Sequence, residues 1–164
     1  MGYRRTTSVR LAVAMATAVV STVVTGLTVV SPAQAASFSN ATLIQTTDPA
    51  SCGSPVLASS PYPSNIAVAG LAGTVSDVNV TLSGLSNDWG ADLEIMLVGP
   101  AGGAQNLVLL SDAGTSINGF NLTLDDSAAN FLPQNGALFS PAKPTDYALL
   151  SETDTFPAPA PAIA

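Results

Sequence analysis

Residues 90–112 contain two apolar runs separated by a turn that is rich in glycine and proline. The first run alternates, so one face of an extended strand would carry Leu93, Ile95 and Leu97, and the opposite face Asp92, Glu94 and Met96. The chain can reverse direction between the runs, where it has Gly99, Pro100, Gly102 and Gly103. This stretch therefore predicts a β-hairpin with a buried face.

The rest of the chain after residue 35 repeats this pattern and shows no sustained apolar period typical of helices. Apolar residues alternate with polar ones in two further stretches, at Val78, Val80 and Leu82 and at Phe120, Leu122 and Leu124. The pattern predicts strands at residues 41–45, 65–69, 75–82, 93–98, 106–111 and 120–124. Short strands at this spacing, with turn residues between them, indicate an all-β sandwich or barrel.

The first 35 residues have the order of regions that is typical of a secretory signal. Residues 1–10 carry three of the four basic residues, and residues 11–30 are uncharged and apolar or small. Ala33 and Ala35 are the small residues of a signal-peptidase site, which predicts cleavage after Ala35. The alternative is a retained transmembrane anchor, since the apolar run is about long enough to span a bilayer. We expect cleavage, and hence a secreted, extracellular protein with no membrane attachment.

Removing 35 of the 164 residues leaves 129, which is enough for one domain. After the signal, residues 36–64 read as an N-terminal strand followed by a loop rich in proline and serine. Residues 65–156 carry the strand pattern of the sandwich. Residues 157–164 alternate proline with alanine, which favours an extended polyproline conformation.

The composition after cleavage disfavours several classes of function. Lys143 is then the one cation against eleven carboxylates, a formal charge of −10 that repels nucleic acid and attracts cations. The chain has no histidine, the usual general base of hydrolases, and the single Cys52 permits no intrachain disulfide. We expect a protein that is not an enzyme. Glycoside hydrolysis is the remaining catalytic alternative, through carboxylate pairs such as Asp92 with Glu94 or Asp125 with Asp126.

Several segments, taken in order, resemble the P domain of proprotein convertases in its bacterial secreted form. Residues 91–100 are similar to the family's Asp-Leu-x-Ile-x-Leu-x-x-Pro segment. The other similar segments are residues 66–82, 85–89, 109–114, 120–126, 136–138 and 154–157. The resemblance covers residues 65–161 and rests on the order and spacing of these segments. It implies an antiparallel, jelly-roll-like β-sandwich of the galactose-binding type, which acts as a noncatalytic accessory module beside a subtilisin-like protease.

The sequence departs from that family at its C-terminal end. P domains continue with a glycine-rich segment that contains Asn-Gly-Thr-Trp and finish with a strand that contains Gly-Trp, and this chain has neither. By the resemblance, the last strands of the jelly roll are missing and the sandwich is incomplete. A truncated reading frame explains this most simply; strands supplied by a partner and a different closure of the sheets are the alternatives.

The surplus of acidic residues favours calcium, because carboxylate oxygens are its preferred ligands and extracellular modules commonly bind it. In the predicted hairpin, Asp92 and Asp112 lie at the same end, and Asp88 in the preceding loop can approach that end. We therefore predict a calcium site at Asp88, Asp92 and Asp112. The spacing of these residues matches no known calcium loop such as the EF-hand.

Trp89 is the single tryptophan and lies just before the hairpin. A lone aromatic side chain usually serves packing, so we expect Trp89 to cap the end of the sandwich. The alternative role is a docking aromatic for a ligand. The sequence thus predicts a secreted accessory or binding module with a protein partner. The alternative function is a carbohydrate-binding or adhesion module whose glycan would lie on Trp89, Tyr62 or Tyr147.

Overall fold

The structure, a computed structural model, describes residues 7–10, 16–18, 34–46, 57–71, 74–100, 105–147 and 154–163. These residues form strands connected by turns and one short 3-10 helix at Gly90–Asp92. The strands are β1 (Thr7–Arg10), β2 (Ala16–Ala18), β3 (Gln34–Ala36), β4 (Leu57–Ala58), β5 (Val75–Val78), β6 (Val80–Asn87), β7 (Leu93–Val98), β8 (Asn106–Ser111), β9 (Ile117–Leu124) and β10 (Thr145–Asp146). The prediction of an all-β fold is confirmed. Within the described ranges, no helix is long and apolar enough to cross a membrane.

The strands form three sheets. The largest has the order β10-β8-β7-β1-β4, the second the order β3-β2-β5, and β6 and β9 form a two-stranded sheet. The pairs β7–β8 and β6–β9 are antiparallel, as are the two pairs that β2 makes. In contrast, β1 runs parallel to β4 and β7, and β10 runs parallel to β8. The parallel pairs join strands that are distant in sequence, and local patterns of residues do not predict them.

The β7–β8 hairpin has the strand bounds that the sequence predicts. Its register runs from Ile95 opposite Leu110 to Val98 opposite Asn106, and the Gly99 amide donates to the Gln105 carbonyl oxygen at 2.7 Å. The predicted buried face is present, and the opposite face is buried as well, because the side chains of Glu94 and Met96 are only 3% and 0% exposed. Leu93 and Ile95 on the opposite face are each 1% exposed, so other parts of the protein cover β7 on both faces.

The β6–β9 pair shows the predicted alternation. Val80 pairs with Leu124 and Leu82 with Leu122, and all four side chains are buried. The register shifts twice, once within β6 and once within β9, and a glycine with positive φ lies at each shift, Gly84 at 67° and Gly119 at 63°. Positive φ is a conformation that residues with a Cβ atom rarely adopt, so these glycines permit the two bulges.

One hydrophobic cluster joins the two strand pairs. It contains Val80, Leu82, Leu93, Ile95, Leu109, Leu110, Ala113, Ile117, Leu122, Leu124, Leu132 and Ala142. Gly90 lies at the junction, where its amide donates to the Thr115 carbonyl oxygen at 2.8 Å. A Cβ atom at Gly90 would lie 2.7 Å from that oxygen and 2.8 Å from Cδ1 of Ile117. The close approach of the two loops therefore requires glycine at this position.

Two of the predicted strands are absent from the described part of the structure. Residues 41–45 contribute only an isolated bridge between Gln45 and Ser60, and residues 65–69 form no strand. Both stretches are short and lie mostly at the surface, so few apolar contacts would stabilise a further sheet there. The tail after Phe156 also differs from the polyproline prediction, because Ala160 closes a turn onto the Pro157 carbonyl oxygen at 3.0 Å.

The N-terminal residues that resemble a secretory signal contribute β1, β2 and part of β3. Cleavage after Ala35 would remove β1 from its position between β4 and β7. That cleavage stays a prediction. Cys52 lies outside the described residues.

Candidate metal centre

Three carboxylates meet where the β6–β9 pair ends. Because Val80 pairs with Leu124, the chain just before β6 lies beside the chain just after β9. Asp77 therefore approaches Asp125 and Asp126, and one carboxylate oxygen of each residue lies within 4.8 Å of the others. We call these three residues the acidic cluster.

The backbone and neighbouring side chains hold the acidic cluster in place. Oδ1 of Asp125 accepts hydrogen bonds from the amide and the hydroxyl of Ser127, at 2.8 and 2.7 Å, and the Asp125 amide donates to the Ala142 carbonyl oxygen at 2.9 Å. Asn79 donates from Nδ2 to Oδ2 of Asp77 at 3.2 Å. Oδ1 of the same Asn79 amide is buried and has no hydrogen-bond partner.

The acidic cluster can hold a metal ion. Three carboxylates at this separation repel one another in the absence of a cation, and a bound cation would offset that repulsion. Carboxylate and amide oxygens are hard ligands, which suit calcium or magnesium and not the softer transition metals. The orphaned oxygen of Asn79 adds a polar atom of the right chemistry close to Asp77.

The structure places the three residues of the predicted calcium site at one end of the hairpin. Asp88 is exposed in the loop after β6, Asp92 closes the 3-10 helix before β7, and Asp112 follows β8 with φ of 52° and 8% exposure. They are not among the carboxylates that the described structure brings within 4.8 Å of one another. Calcium binding by Asp88, Asp92 and Asp112 stays a prediction.

The sequence contained a signal for the acidic cluster that local reasoning missed. Asp77 begins one alternating stretch, and Asp125 with Asp126 ends the other. Antiparallel pairing of these two stretches would have placed the start of one beside the end of the other. The sequence alone does not show that these two stretches pair with each other as β6 and β9.

Comparison of the chain with known proteins gives no relative from which a function could be transferred. No protein-family model, curated protein or solved structure matches it. The residues themselves are therefore the basis for any proposal.

The carboxylate pair Asp92 and Glu94, considered above for glycoside hydrolysis, does not lie together on an exposed strand face. Glu94 is 3% exposed within β7, whereas Asp92 lies in the 3-10 helix. A substrate at the surface would not contact both groups. Asp125 and Asp126 remain accessible, but Asp125 is held by Ser127 as described above.

The aromatic residues of the predicted glycan groove have different environments. The Tyr62 hydroxyl donates to the Pro157 carbonyl oxygen at 2.8 Å, and the Tyr147 hydroxyl donates to that of Leu132 at 2.7 Å. Trp89 is 66% exposed, so it does not cap the core as its sequence position suggested. Its amide donates to Oδ1 of Asn87 at 2.8 Å and its carbonyl oxygen accepts from the Asp92 amide at 3.0 Å. The backbone of this exposed indole is thus fixed on both sides.

A second carboxyl pair lies at the edge of the largest sheet. The carboxyl of Asp146 in β10 lies near that of Asp154, and hydrogen bonding between the two is one of three causes that shift the pKa of Asp146. Partial desolvation, then the charge of Asp154 and then this hydrogen bond raise the pKa of Asp146 above its ordinary value of 3.8. The pair consists of two groups only, so we do not count it as a metal site.

Proposed function

We propose that the chain is a secreted, noncatalytic β-sandwich module that acts beside a subtilisin-like protease, as P domains do. The observation that carries the proposal is the β7–β8 hairpin. Residues 91–100, which resemble the family's Asp-Leu-x-Ile-x-Leu-x-x-Pro segment, contain β7 and form the first half of this hairpin, in which β7 pairs with β8. The absence of histidine from the sequence also favours a role without catalysis.

Mixing experiments with a protease test the accessory role. The secreted product of the full chain is added to a subtilisin-like catalytic domain from the same organism, and the melting temperature and autolysis rate of the protease are measured. We expect a higher melting temperature and slower autolysis. The Ile95→Asp variant, whose hairpin core is disrupted, is the matched control and should have no effect. A protease that behaves identically with and without the intact chain contradicts the proposal.

We further propose that calcium is the ion that the acidic cluster takes. Calcium suits an extracellular module, where sites of modest affinity, with Kd of roughly 0.1–1 mM, are sufficient. At tenfold excess over Kd, bound calcium would stabilise the fold by about 1.4 kcal/mol. The expected rise in melting temperature is therefore a few degrees.

Two matched variants separate this site from the one predicted from the sequence. Asp126→Asn removes a charge from the acidic cluster, and Asp88→Asn removes one from the predicted hairpin site. Titration calorimetry with calcium should give heat for the unaltered protein and for Asp88→Asn, and none for Asp126→Asn. The reverse pattern would assign calcium to Asp88, Asp92 and Asp112. No heat from the unaltered protein would exclude both sites.

A second candidate function is glycan binding, and the exposure of Trp89 favours it. An indole ring that is largely exposed on a fixed backbone offers an apolar face to a ligand, and Asn87 and Asp88 provide polar groups next to it in sequence. A glycan array with the unaltered protein, Trp89→Ala and Phe131→Ala tests this role, since Phe131 is an exposed aromatic elsewhere. Binding that is lost in Trp89→Ala alone supports it. Equal signals from all three proteins contradict it.

A further inference from the structure

The largest sheet contains a strand that comes from the predicted signal. β1 lies between β4 and β7 and runs parallel to both. Its ladder with β7 extends over four residue pairs, from Thr7 opposite Leu93 to Arg10 opposite Met96. We call the strand position between β4 and β7 the β1 slot. A strand that lies there has a neighbour on each side.

Cleavage after Ala35 would empty the β1 slot. Among the described strands, β7 would then pair with β8 alone, and β4 would have no strand neighbour. The edge that opens runs along residues 93–96, whose side chains are at most 3% exposed in the full chain. An open strand edge offers backbone amides and carbonyl oxygens to an extended segment. Because Leu93 and Ile95 belong to the hydrophobic cluster, an occupant would also shield apolar surface from water.

The charge beside the β1 slot favours a basic occupant. Glu94 is an acidic residue that is only 3% exposed, and its ladder partner in β1 is Ser8. A carboxylate at that depth favours a cation in the neighbouring strand. The strand that fills the slot in the full chain contains Arg10 and is itself basic. The formal charge of −10 after cleavage would also attract a cationic segment.

A second copy of the processed chain does not meet these requirements. After cleavage Lys143 is its one basic residue against eleven carboxylates. The backbone of Lys143 already forms a bridge with Phe131, so it does not lie on an available strand. Two copies would each carry the charge of −10, and repulsion would oppose their association. These observations favour an occupant from a different protein.

We propose that the β1 slot of the processed protein binds a basic, extended segment of a partner protein, which adds a strand parallel to β7 as β1 does in the full chain. Removal of the signal makes the slot available. The inference rests on the secretion that the proposed function includes, and it does not rest on the accessory role beside a protease.

The mass of the secreted product of the full chain is the first measurement. We expect a chain that begins at Ala36. A secreted product that retains residues 7–10 would keep β1 in the slot and would overturn the inference. The effect on protease autolysis is measured separately, so the accessory role can fail or succeed independently of this result.

A synthetic peptide of residues 6–11, with acetylated and amidated ends, is the probe for the β1 slot. It contains β1 with one further residue on each side and a single arginine. Titration calorimetry with the secreted product should give saturable binding. Alternate amides of β7 face away from β8, and saturating peptide should slow their hydrogen exchange by about tenfold.

Two control peptides test whether binding depends on a parallel ladder. The same six residues in reverse order have the same composition and charge, but their side chains match the slot only in an antiparallel strand. A peptide with Val9→Pro lacks one amide hydrogen in the middle of the ladder. We expect each control peptide to bind about tenfold more weakly, the effect of roughly one lost hydrogen bond or more.

Two matched protein variants test the preference for a cation. Glu94→Gln removes the buried charge beside the slot, and Asp88→Asn removes an exposed charge elsewhere. The peptide should bind Glu94→Gln about fivefold more weakly, and Asp88→Asn as tightly as the unaltered protein. A peptide with Arg10→Gln, measured against the unaltered protein, gives the same test without altering the fold and should also bind about fivefold more weakly.

Three results would overturn the proposal. The first is the absence of saturable binding to the processed protein, or equal binding of the peptide and its two ladder controls. The second is an affinity that does not change with Arg10→Gln, which would remove the preference for a basic segment. The third is a processed protein that is a dimer by light scattering and dissociates when the peptide is added, which would assign the β1 slot to a second copy.

Discussion

The β7–β8 hairpin and the β6–β9 pair are both antiparallel and of similar length, but they bury their side chains differently. In β7 four consecutive residues from Leu93 to Met96 are buried, and in β8 four from Val108 to Ser111. In β6 and β9 buried and accessible residues alternate near one end of the pair: Val80 and Leu82 are buried on either side of Thr81, and Leu122 and Leu124 on either side of Thr123. The first pair lies inside a five-stranded sheet, whereas the second is a sheet of two strands.

This difference shows what the two kinds of residue pattern mean. Alternation predicts one covered face correctly, and it did so for Val80, Leu82, Leu122 and Leu124. A continuous apolar run such as residues 108–110 indicates a strand with both faces covered, and these three side chains are buried. Glu94 interrupts the apolar residues of β7, so the sequence of β7 has the alternating pattern of a half-covered strand although the Glu94 side chain is buried.

The largest expected effect is on the second face of β7. Met96 is 0% exposed, so Met96→Ala in the full chain should lower the free energy of unfolding by about 2–5 kcal/mol. Urea unfolding followed by far-UV circular dichroism measures this change. Leu122→Ala in β9 is the matched control and should have a similar cost. If Met96→Ala lowers the free energy of unfolding by less than about 1 kcal/mol, the second face of β7 is not well packed. The β7–β8 and β6–β9 pairs would then each have one covered face.

The features that the sequence predicts correctly are those that depend on residues close together in the chain. The bounds of β7 and β8 follow from local patterns, and so does the alternation in β6 and β9. The parallel partners of β1 and β10 do not, because pairing between distant strands depends on the packing of the whole chain.

The candidate sites were harder to predict than the strands for the same reason. Asp125 and Asp126 are adjacent in sequence, but their proximity to Asp77 depends on the pairing of β6 with β9. Likewise, the contact of Tyr62 with Pro157 joins residues 95 positions apart. Trp89 is 66% exposed and so does not cap the core, and its exposure is likewise a property of the fold that its position in the sequence does not give.

The junction between the two strand pairs should be the next most sensitive position. Gly90→Ala places a Cβ atom 2.7 Å from the Thr115 carbonyl oxygen and 2.8 Å from Cδ1 of Ile117, and should cost about 1–3 kcal/mol. Ile117→Val removes one of these two contacts. The double variant should therefore be more stable than the sum of the two single effects predicts. A Gly90→Ala protein within about 0.5 kcal/mol of the unaltered one would show that the pairs are less closely joined.

The bulge in β9 tests the backbone of the two-stranded sheet alone. A Cβ atom at Gly119 would meet no atom within 4 Å, so its positive φ of 63° is the constraint. Gly119→Val should cost about 1–2 kcal/mol, because a β-branched residue resists this conformation. Gly119→Asn should cost less, since asparagine adopts positive φ more readily. Equal costs for the two variants, measured by thermal unfolding, would mean that the bulge rearranges.

The smallest effect is expected on the accessible face of the β6–β9 pair. There the hydroxyls of Thr81 and Thr123, which are opposite each other, share a hydrogen bond at 3.0 Å. A double-mutant cycle with Thr81→Ala and Thr123→Ala should give a coupling energy of about 0.2–1 kcal/mol, the range for cross-strand pairs. This value is far below the cost of Met96→Ala, because neither hydroxyl belongs to the apolar core. A coupling energy well above that range would show that this face is covered as well, and the contrast between the two strand pairs would then disappear.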